Sequence, residues 1–289
     1  MLTVTSIPTN LDDAKAQLRD ARRKASPFVE HFARFGYAAK GVVYVVVGAL
    51  AAMAAVGSAR GDTTGSRGAM QTIAHQPYGR VLLGIVAAGL AGYALWQFIR
   101  AIEDPENEGN DGKAIAKRIG FFGSGLIHFG LVWYAIGVIT GAARGGDDDS
   151  GARTWSATAM HYPMGQWLVF LIGCGIVCNG IWQIVRAFKS NLGKRLRLGH
   201  LDPHTCRIVV GIGRFGMAAR GVVFGVIGIF LAMAAYHHDP SEARGIAGAL
   251  DALQRQPYGP WLLGTVAVGV IAYGVHQFVT ARYRQIVQT

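Results

Sequence analysis

Apolar positions crowd into six long stretches of the 289-residue chain, and the charged positions fall between them. Residues 41-59, 81-99, 119-143, 154-185, 221-238 and 256-281 contain no Asp, Glu, Lys or Arg. Each holds the roughly 20 apolar residues that a helix rising about 1.5 Å per residue needs to cross about 30 Å of hydrocarbon. Six such stretches leave too little polar chain to cover them with protein. The pattern predicts an all-α integral membrane fold with six transmembrane helices.

The stretches are not independent. Residues 34-56 and 76-101 recur as 214-236 and 256-281 at a constant offset of 180, with 28 identities over 49 positions. A more divergent copy lies between them, starting at Arg118-Ile119-Gly120 and continuing from Pro163-Met164-Gly165 to Trp182-Gln183. The chain therefore divides into an N-terminal polar arm (1-33), two-helix repeats at 34-101, 118-187 and 214-281, and a tail (282-289). Each repeat crosses the membrane twice, so all three enter in the same sense and only an axis along the membrane normal can relate them. Inverted repeats are excluded. The expected arrangement is three tandem helical hairpins with pseudo-threefold symmetry. Mitochondrial carriers share that logic, but their acidic residue two positions after a helix proline is missing here: the motifs read Pro77-Tyr78-Gly79-Arg80, Pro163-Met164-Gly165-Gln166 and Pro257-Tyr258-Gly259-Pro260. Short segments before each proline (68-74, 156-160, 248-253) are expected as helices lying at the outer interface.

The net charge of +11 is distributed asymmetrically. Of the 28 Lys and Arg, 21 fall on the side that holds both termini and 7 on the other, which places the termini in the cytoplasm by the positive-inside rule. The basic residues are scattered over helix ends, so no nucleic-acid partner is implied; membrane lipids are the expected partners. The arm has no signal-peptide core and is expected to remain on the chain. Cys174, Cys178 and Cys206 give no disulfide framework.

Eight positions are identical in all three copies: Arg34/Arg118/Arg214, Gly36/Gly120/Gly216, Gly41/Gly125/Gly221, Pro77/Pro163/Pro257, Gly79/Gly165/Gly259, Leu82/Leu168/Leu262, Gly89/Gly175/Gly269 and Gln97/Gln183/Gln277. The glycines are expected where helix backbones approach. The glutamines need partners within the membrane, because an unpaired amide there costs several kcal/mol. They are expected to bond inside their own hairpins, to Arg34, Arg118, Arg214 or free carbonyls, in preference to forming one axial ring. Lys40 and Arg220 are expected to snorkel to the cytoplasmic interface.

The runs Arg34-Phe35-Gly36-Tyr37-Ala38-Ala39-Lys40-Gly41-Val42-Val43-Tyr44, Gly68-Ala69-Met70, Pro77-Tyr78-Gly79-Arg80-Val81-Leu82-Leu83 and Tyr93-Ala94-Leu95-Trp96-Gln97 resemble the bacterial membrane-protein family called domain of unknown function 1206. The resemblance covers about residues 30-285 and implies three tandem two-helix units in a bacterial cytoplasmic membrane. It implies no activity. The middle copy departs from it at Ser124, His128 and Asn179.

That middle copy is where chemistry is expected. His128 replaces Tyr44 and Phe224, Asn179 replaces Tyr93 and Tyr273, and Cys174 and Cys178 add two thiols. His128 lies ten residues past Arg118, roughly 15 Å deep, and Cys178 and Asn179 lie roughly 10–12 Å from the Arg186 end, so adjacent helices would bring them level. A structural network, with His128 bonded to Asn179 or Tyr134, is the leading expectation. A polar pocket for a solute or proton comes second. A metal site from His128, Cys174 and Cys178 lacks a fourth ligand, and His276 is too isolated to imply haem with His128. The run Asp147-Asp148-Asp149 offers too few fixed oxygens for a specific cation site. No metal or cofactor is implied and no catalytic motif is present, so a non-enzyme is expected. Two classes remain: a bundle binding or passing a small solute, ion or lipid, which requires a water-accessible cavity near His128, and a scaffold for a membrane partner protein, which requires a dry axis.

Overall fold

The computed structural model describes residues 11–58, 61–103, 105, 111–143, 149–189 and 202–283, with the side chains of the first helix described from residue 30 onward. Among the described residues the secondary structure is helical: α1 (Leu11–Ala55), α2 (Ser66–Ala74), α3 (Gly79–Ile102), α4 (Gly112–Thr140), α5 (Ser150–Met160), α6 (Gly165–Lys189), α7 (Pro203–Tyr236), α8 (Ile246–Gln254) and α9 (Gly259–Tyr283), with a 3-10 turn at Pro240–Glu242. Residues 30–55 of α1 and the whole of α3, α4, α6, α7 and α9 are long and apolar enough to cross a membrane. The protein is a multi-pass membrane protein built on six such helices. The polar arm joins the first of them without a break, as α1 begins at Leu11; residues 1–10 and 284–289 lie outside the described residues.

The three short helices α2, α5 and α8 occupy the predicted places and start up to six residues earlier than the sequence pattern suggests. Each joins the following long helix through the same turn. Tyr78, Met164 and Tyr258 adopt left-handed backbone at φ 60, 66 and 62°, and the next residue is glycine in every case. A Cβ on Gly79, Gly165 or Gly259 would overlap the carbonyl oxygen of Ala74, Ala159 or Gln254, so the corner admits no side chain there. The short helices start close together. Asp149 Oδ1 accepts from the amides of Gly245 (2.8 Å) and Gly248 (3.3 Å) and so caps α8, while Arg67 on α2 donates to Ser150 at the start of α5 (3.2 Å). Asp149 is thus a capping group shared between repeats; Asp147 and Asp148 lie outside the described residues.

The long helices pack in the order α4, α3, α1, α9, α7, α6. Glycines set the closest approaches: a Cβ on Gly41 would sit 2.9 Å from the carbonyl of Gly274 (α1 on α9), and one on Gly221 2.7 Å from that of Gly180 (α7 on α6). Repeats 1 and 3 are closed hairpins, α1 with α3 and α7 with α9. The middle repeat is not: α4 lies along α3, α6 lies along α7, and the two are not packed together. The expected threefold arrangement is therefore incomplete, because a closed ring needs α4 against α6.

The glycines record the same break. A Cβ on Gly36 would lie 2.6 Å from the backbone nitrogen of Tyr93, and one on Gly216 would overlap that of Tyr273, yet Gly120 has no atom within 4 Å. Likewise Gly89 and Gly269 abut the methyl groups of Ala39 and Ala219, while Gly175 and its counterpart Gly123 face open space. Within their membrane windows only 17% of α4 and 22% of α6 is buried, against 39–56% for the other four helices. A seam runs between α4 and α6.

Toward the short helices the space between the membrane helices is filled by an apolar core that includes Val47, Ala51, Met70, Leu83, Leu250, Leu263 and Ala267. At the opposite ends, Arg34 on α1 donates to the last carbonyls of α9, Ala281 and Arg282 (both 2.7 Å), and Arg118 on α4 donates to those of α3, Ala101 (2.7 Å) and Ile102 (2.9 Å). In these two copies the repeated arginine caps the helix end of the neighbouring unit, where carbonyls lack intrahelical partners.

Candidate functional site

Below the apolar core, all six membrane helices contribute to one polar and aromatic cluster. Its cations are Lys40 on α1 and Arg220 on α7, which occupy equivalent positions in repeats 1 and 3; Ser124 holds that position in the middle repeat. Lys40 is only 4% exposed. Its Nζ donates to Tyr93 Oη on α3 (2.8 Å) and lies 4.3 Å from the centre of that ring. This corrects the expectation that Lys40 snorkels to the interface. The reason is helix rise: Lys40 follows Arg34 by six residues, which sets it roughly 9 Å deeper than the group that caps the helix ends.

Arg220 is drawn inward too. Its Nε donates to Tyr44 Oη on α1 (3.3 Å), and Nη1 donates to Gln183 Oε1 on α6 (2.5 Å). The guanidinium also stands over the rings of Phe224 (4.1 Å) and Tyr273 on α9 (4.9 Å). Lys40 and Arg220 each lie 5.9 Å from the centre of Tyr44, so both charges border one ring. Tyr44 and Tyr273 meet edge to face at 4.9 Å. Cation–π contacts and phenol hydroxyls offset part of the cost of removing two charges from water. Neither cation has a carboxylate partner among the described residues. Glu30, the one acidic residue in the six membrane segments, pairs with Arg34 at 2.6 Å.

His128 belongs to this cluster and is 8% exposed. Its ring lies tilted against that of Tyr93, with centres 4.5 Å apart, and Nδ1 lies 2.7 Å from the Ser124 carbonyl, which fixes the proton on that nitrogen. The partners proposed from sequence are elsewhere: Tyr134 accepts from Gln71 on α2 (2.7 Å), and Asn179 Oδ1 accepts from Gln183 (2.5 Å). His128 and Asn179 flank the seam on helices that are not packed together. Cys174 and Gln183 are nine residues apart, which at about 100° per residue puts them on opposite sides of α6. Cys174 and the exposed Cys178 therefore point away from the cluster.

Gln97, Gln183 and Gln277 are all buried, and each has a different environment. Gln97 Oε1 accepts from Arg100 on its own helix (3.0 Å), which keeps the bond inside the hairpin but replaces the expected Arg34. Gln183 reaches across to Arg220 in the next repeat. The expectation of a partner within the hairpin fails there because the middle hairpin is open and α7 is the adjacent helix. It fails for Gln277 as well. Gln277 on α9 is 4% exposed, and among the described residues its amide makes no hydrogen bond to Arg214 or to any other group of repeat 3. The cause is a lost cation: the position that holds Arg100 beside Gln97 holds Thr280 beside Gln277, and Thr280 Oγ1 donates to the His276 carbonyl (2.8 Å). Arg34 and Arg118 are occupied with carbonyls of neighbouring units, as described above. Arg214 departs from that pattern, since its buried Nε has no hydrogen-bond partner among the described residues.

The sequence pattern does not mark Lys40, Arg220, Tyr44, Tyr93 and Tyr273 as a group. Its departures from repetition point to the middle copy, which gains polar residues, whereas the cluster is assembled from positions where the outer copies carry cations and phenols. The i, i+4 pairs Lys40/Tyr44 and Arg220/Phe224, more than a turn inside the capping arginines, were the available signal.

Lys40 and His128, inside the cluster, are buried. Two recesses lie away from them, at the short-helix face. One of about 410 Å³ is lined by residues including Met160, His161, Gln166, Trp167 and His238; the other, of about 350 Å³, by Arg67, Ser150, Gly151, Thr154 and Trp155. The cluster is instead approached from the side. Asn179 is exposed, and Ser124, Arg220 and Phe224 are half-buried along the seam.

Comparison with known proteins places all three units in one family. Residues 35–104, 119–190 and 215–284 each match the Domain of Unknown Function (DUF1206). The chain is similar to the uncharacterized protein YxxB of Bacillus subtilis (strain 168), 35% identical over 263 residues that cover 91% of this chain and 94% of that protein. No solved structure matches.

Proposed function

The chain belongs to the DUF1206 family, which has no assigned activity, and from that premise we propose that it is a non-enzymatic binding bundle whose site is entered from the lipid through the seam between α4 and α6. The observation that carries this reading is the coincidence of the break in the helix ring with the exposed edge of the basic cluster, at Ser124, Asn179 and Arg220. Burying charge in hydrocarbon is costly, and ionisable groups kept there commonly mark binding sites. The sealed apolar core above argues for binding over passage, since a solute crossing the bundle would have to part Met70, Leu83 and Leu250. The strong basic bias of one face supports cytoplasmic termini, in the cytoplasmic membrane of a bacterium.

A spin label on Ser124→Cys tests the reading. Lateral access predicts collisional broadening by oxygen, which partitions into lipid, and little by a water-soluble nickel chelate. Strong broadening by the chelate would indicate a water-filled cavity, and protection from both would indicate a dry scaffold.

A second reading is favoured by Gly120, Gly123 and Gly175, which face open space on the two sides of the seam. These small residues suit the approach of a partner protein's helix. In that case the labelled site would be open in the isolated protein and protected from both reagents when the native partner is present.

A further inference from the structure

We propose that the seam binds an anionic amphiphile: a phosphate or carboxylate head group, carried on a hydrocarbon chain, that docks on Arg220 and Asn179. The proposal rests on lateral access and specifies what enters. The cluster holds two cations, Lys40 and Arg220, and no carboxylate accompanies either among the described residues. Arginine remains charged in any protein setting, so the site at Arg220 carries a standing positive charge that rings and amides compensate only in part.

Arg220 spends Nε on a phenol and Nη1 on an amide, which leaves hydrogens on its terminal nitrogens for an acceptor at the half-exposed edge. Beside it, Gln183 engages the carbonyl oxygen of Asn179. That orientation leaves the Asn179 NH₂ group at the seam as a second donor. A planar guanidinium and a primary amide fit the oxygens of a phosphate or carboxylate and offer little to a neutral or cationic group.

The flanks of the seam are apolar and small: Gly120, Gly123 and Gly175 leave room, and Ile127 and Leu171 are exposed on the same two helices. An acyl chain lies along such a wall without desolvating polar groups, whereas an anion arriving from water would first have to cross hydrocarbon. A head group bound at the cluster therefore brings its chain with it.

The test is thermal stability of the full chain in a neutral detergent, titrated separately with phosphatidylglycerol, oleate, phosphatidylcholine and inorganic phosphate. The proposal predicts concentration-dependent stabilisation by phosphatidylglycerol or oleate, and none by phosphatidylcholine or inorganic phosphate. Arg220→Gln should raise the half-saturating concentration of the acidic lipid by about tenfold or more, the factor expected for one charge-assisted contact, and Arg220→Lys should restore part of it. Asn179→Leu, at an exposed position, serves where Arg220→Gln fails to fold and should weaken binding severalfold. Equal stabilisation by phosphatidylcholine, or unchanged acidic-lipid binding in Asn179→Leu and Arg220→Gln, overturns the proposal. Stabilisation by inorganic phosphate alone overturns the amphiphile assignment. The lateral-access reading fails separately, when the label at residue 124 is shielded from oxygen.

Discussion

Arg34 and Arg118 perform the same task in different units, tying the start of one membrane segment to the closing carbonyls of its neighbour. Arg118→Gln is expected to lower unfolding stability in detergent by about 1 kcal/mol, the net value of one or two partly solvated hydrogen bonds. Asp149 spans units in the same way at the other face. Asp149→Ala, which removes the cap of α8, should cost about 1 kcal/mol and raise amide hydrogen exchange at residues 245–248 before any change in α5. Unchanged exchange there would show that the cap is dispensable. Asp202 caps α7 from outside the membrane segment, accepting from the Thr205 amide at 2.8 Å. Hydrogen bonds from Thr205 hold its carboxyl below the ordinary value of 3.8. A depressed carboxylate stabilises the fold above its unfolded value and loses that contribution as the pH falls through the depressed one. Protection of the amides of residues 204–206, taken relative to intrinsic exchange at each pH, should therefore be constant near neutrality and fall only below about pH 4, and Asp202→Ala should abolish that pH dependence.

At the scale of elements, the six membrane helices, the three short helices and the glycine-mediated contacts were all legible in the sequence, because length, hydropathy and repetition are local properties. The pairing of α4 with α6 was not. Gly120 and Gly175 match the glycines that close the other two hairpins, so the repeat pattern reads as closed whether or not the helices meet. Pairing depends on the whole interface, and in the middle unit the stronger competitors are α3 for α4 and α7 for α6. Substitution separates the two cases. Gly89→Ala and Gly269→Ala should each destabilise by about 1–3 kcal/mol, since the added methyl meets Ala39 or Ala219 across a tight hairpin. Gly175→Ala adds a methyl to open space and should be neutral or stabilising by up to about 1 kcal/mol, the helix-propensity gain. Equal losses at all three positions, read from thermal unfolding, would mean that the middle hairpin closes.

For the whole molecule, the candidate site follows from that one unpaired interface. Lys40, Tyr44, Tyr93, Arg220 and Tyr273 come from repeats 1 and 3, and the middle repeat contributes Ser124, His128 and Asn179 at the edge. His128 and Asn179 were visible as departures from the repeat. The phenols and cations were not, since their convergence requires knowing that α1 lies between α3 and α9. The same limit applies to Gln97, Gln183 and Gln277, whose identity in all three copies conceals three different surroundings set by neighbours outside the repeated positions. The central claim, that the ring of helices is open between α4 and α6, can be read directly from distances between spin labels at equivalent pairs in lipid nanodiscs. Residues 38 and 95, 122 and 181, and 218 and 275 occupy matching positions in the three units, and all accept a label at exposed or half-buried sites. An open seam predicts two matching short distances for the 38/95 and 218/275 pairs and a distinctly longer one for 122/181, whereas three equal distances would contradict it.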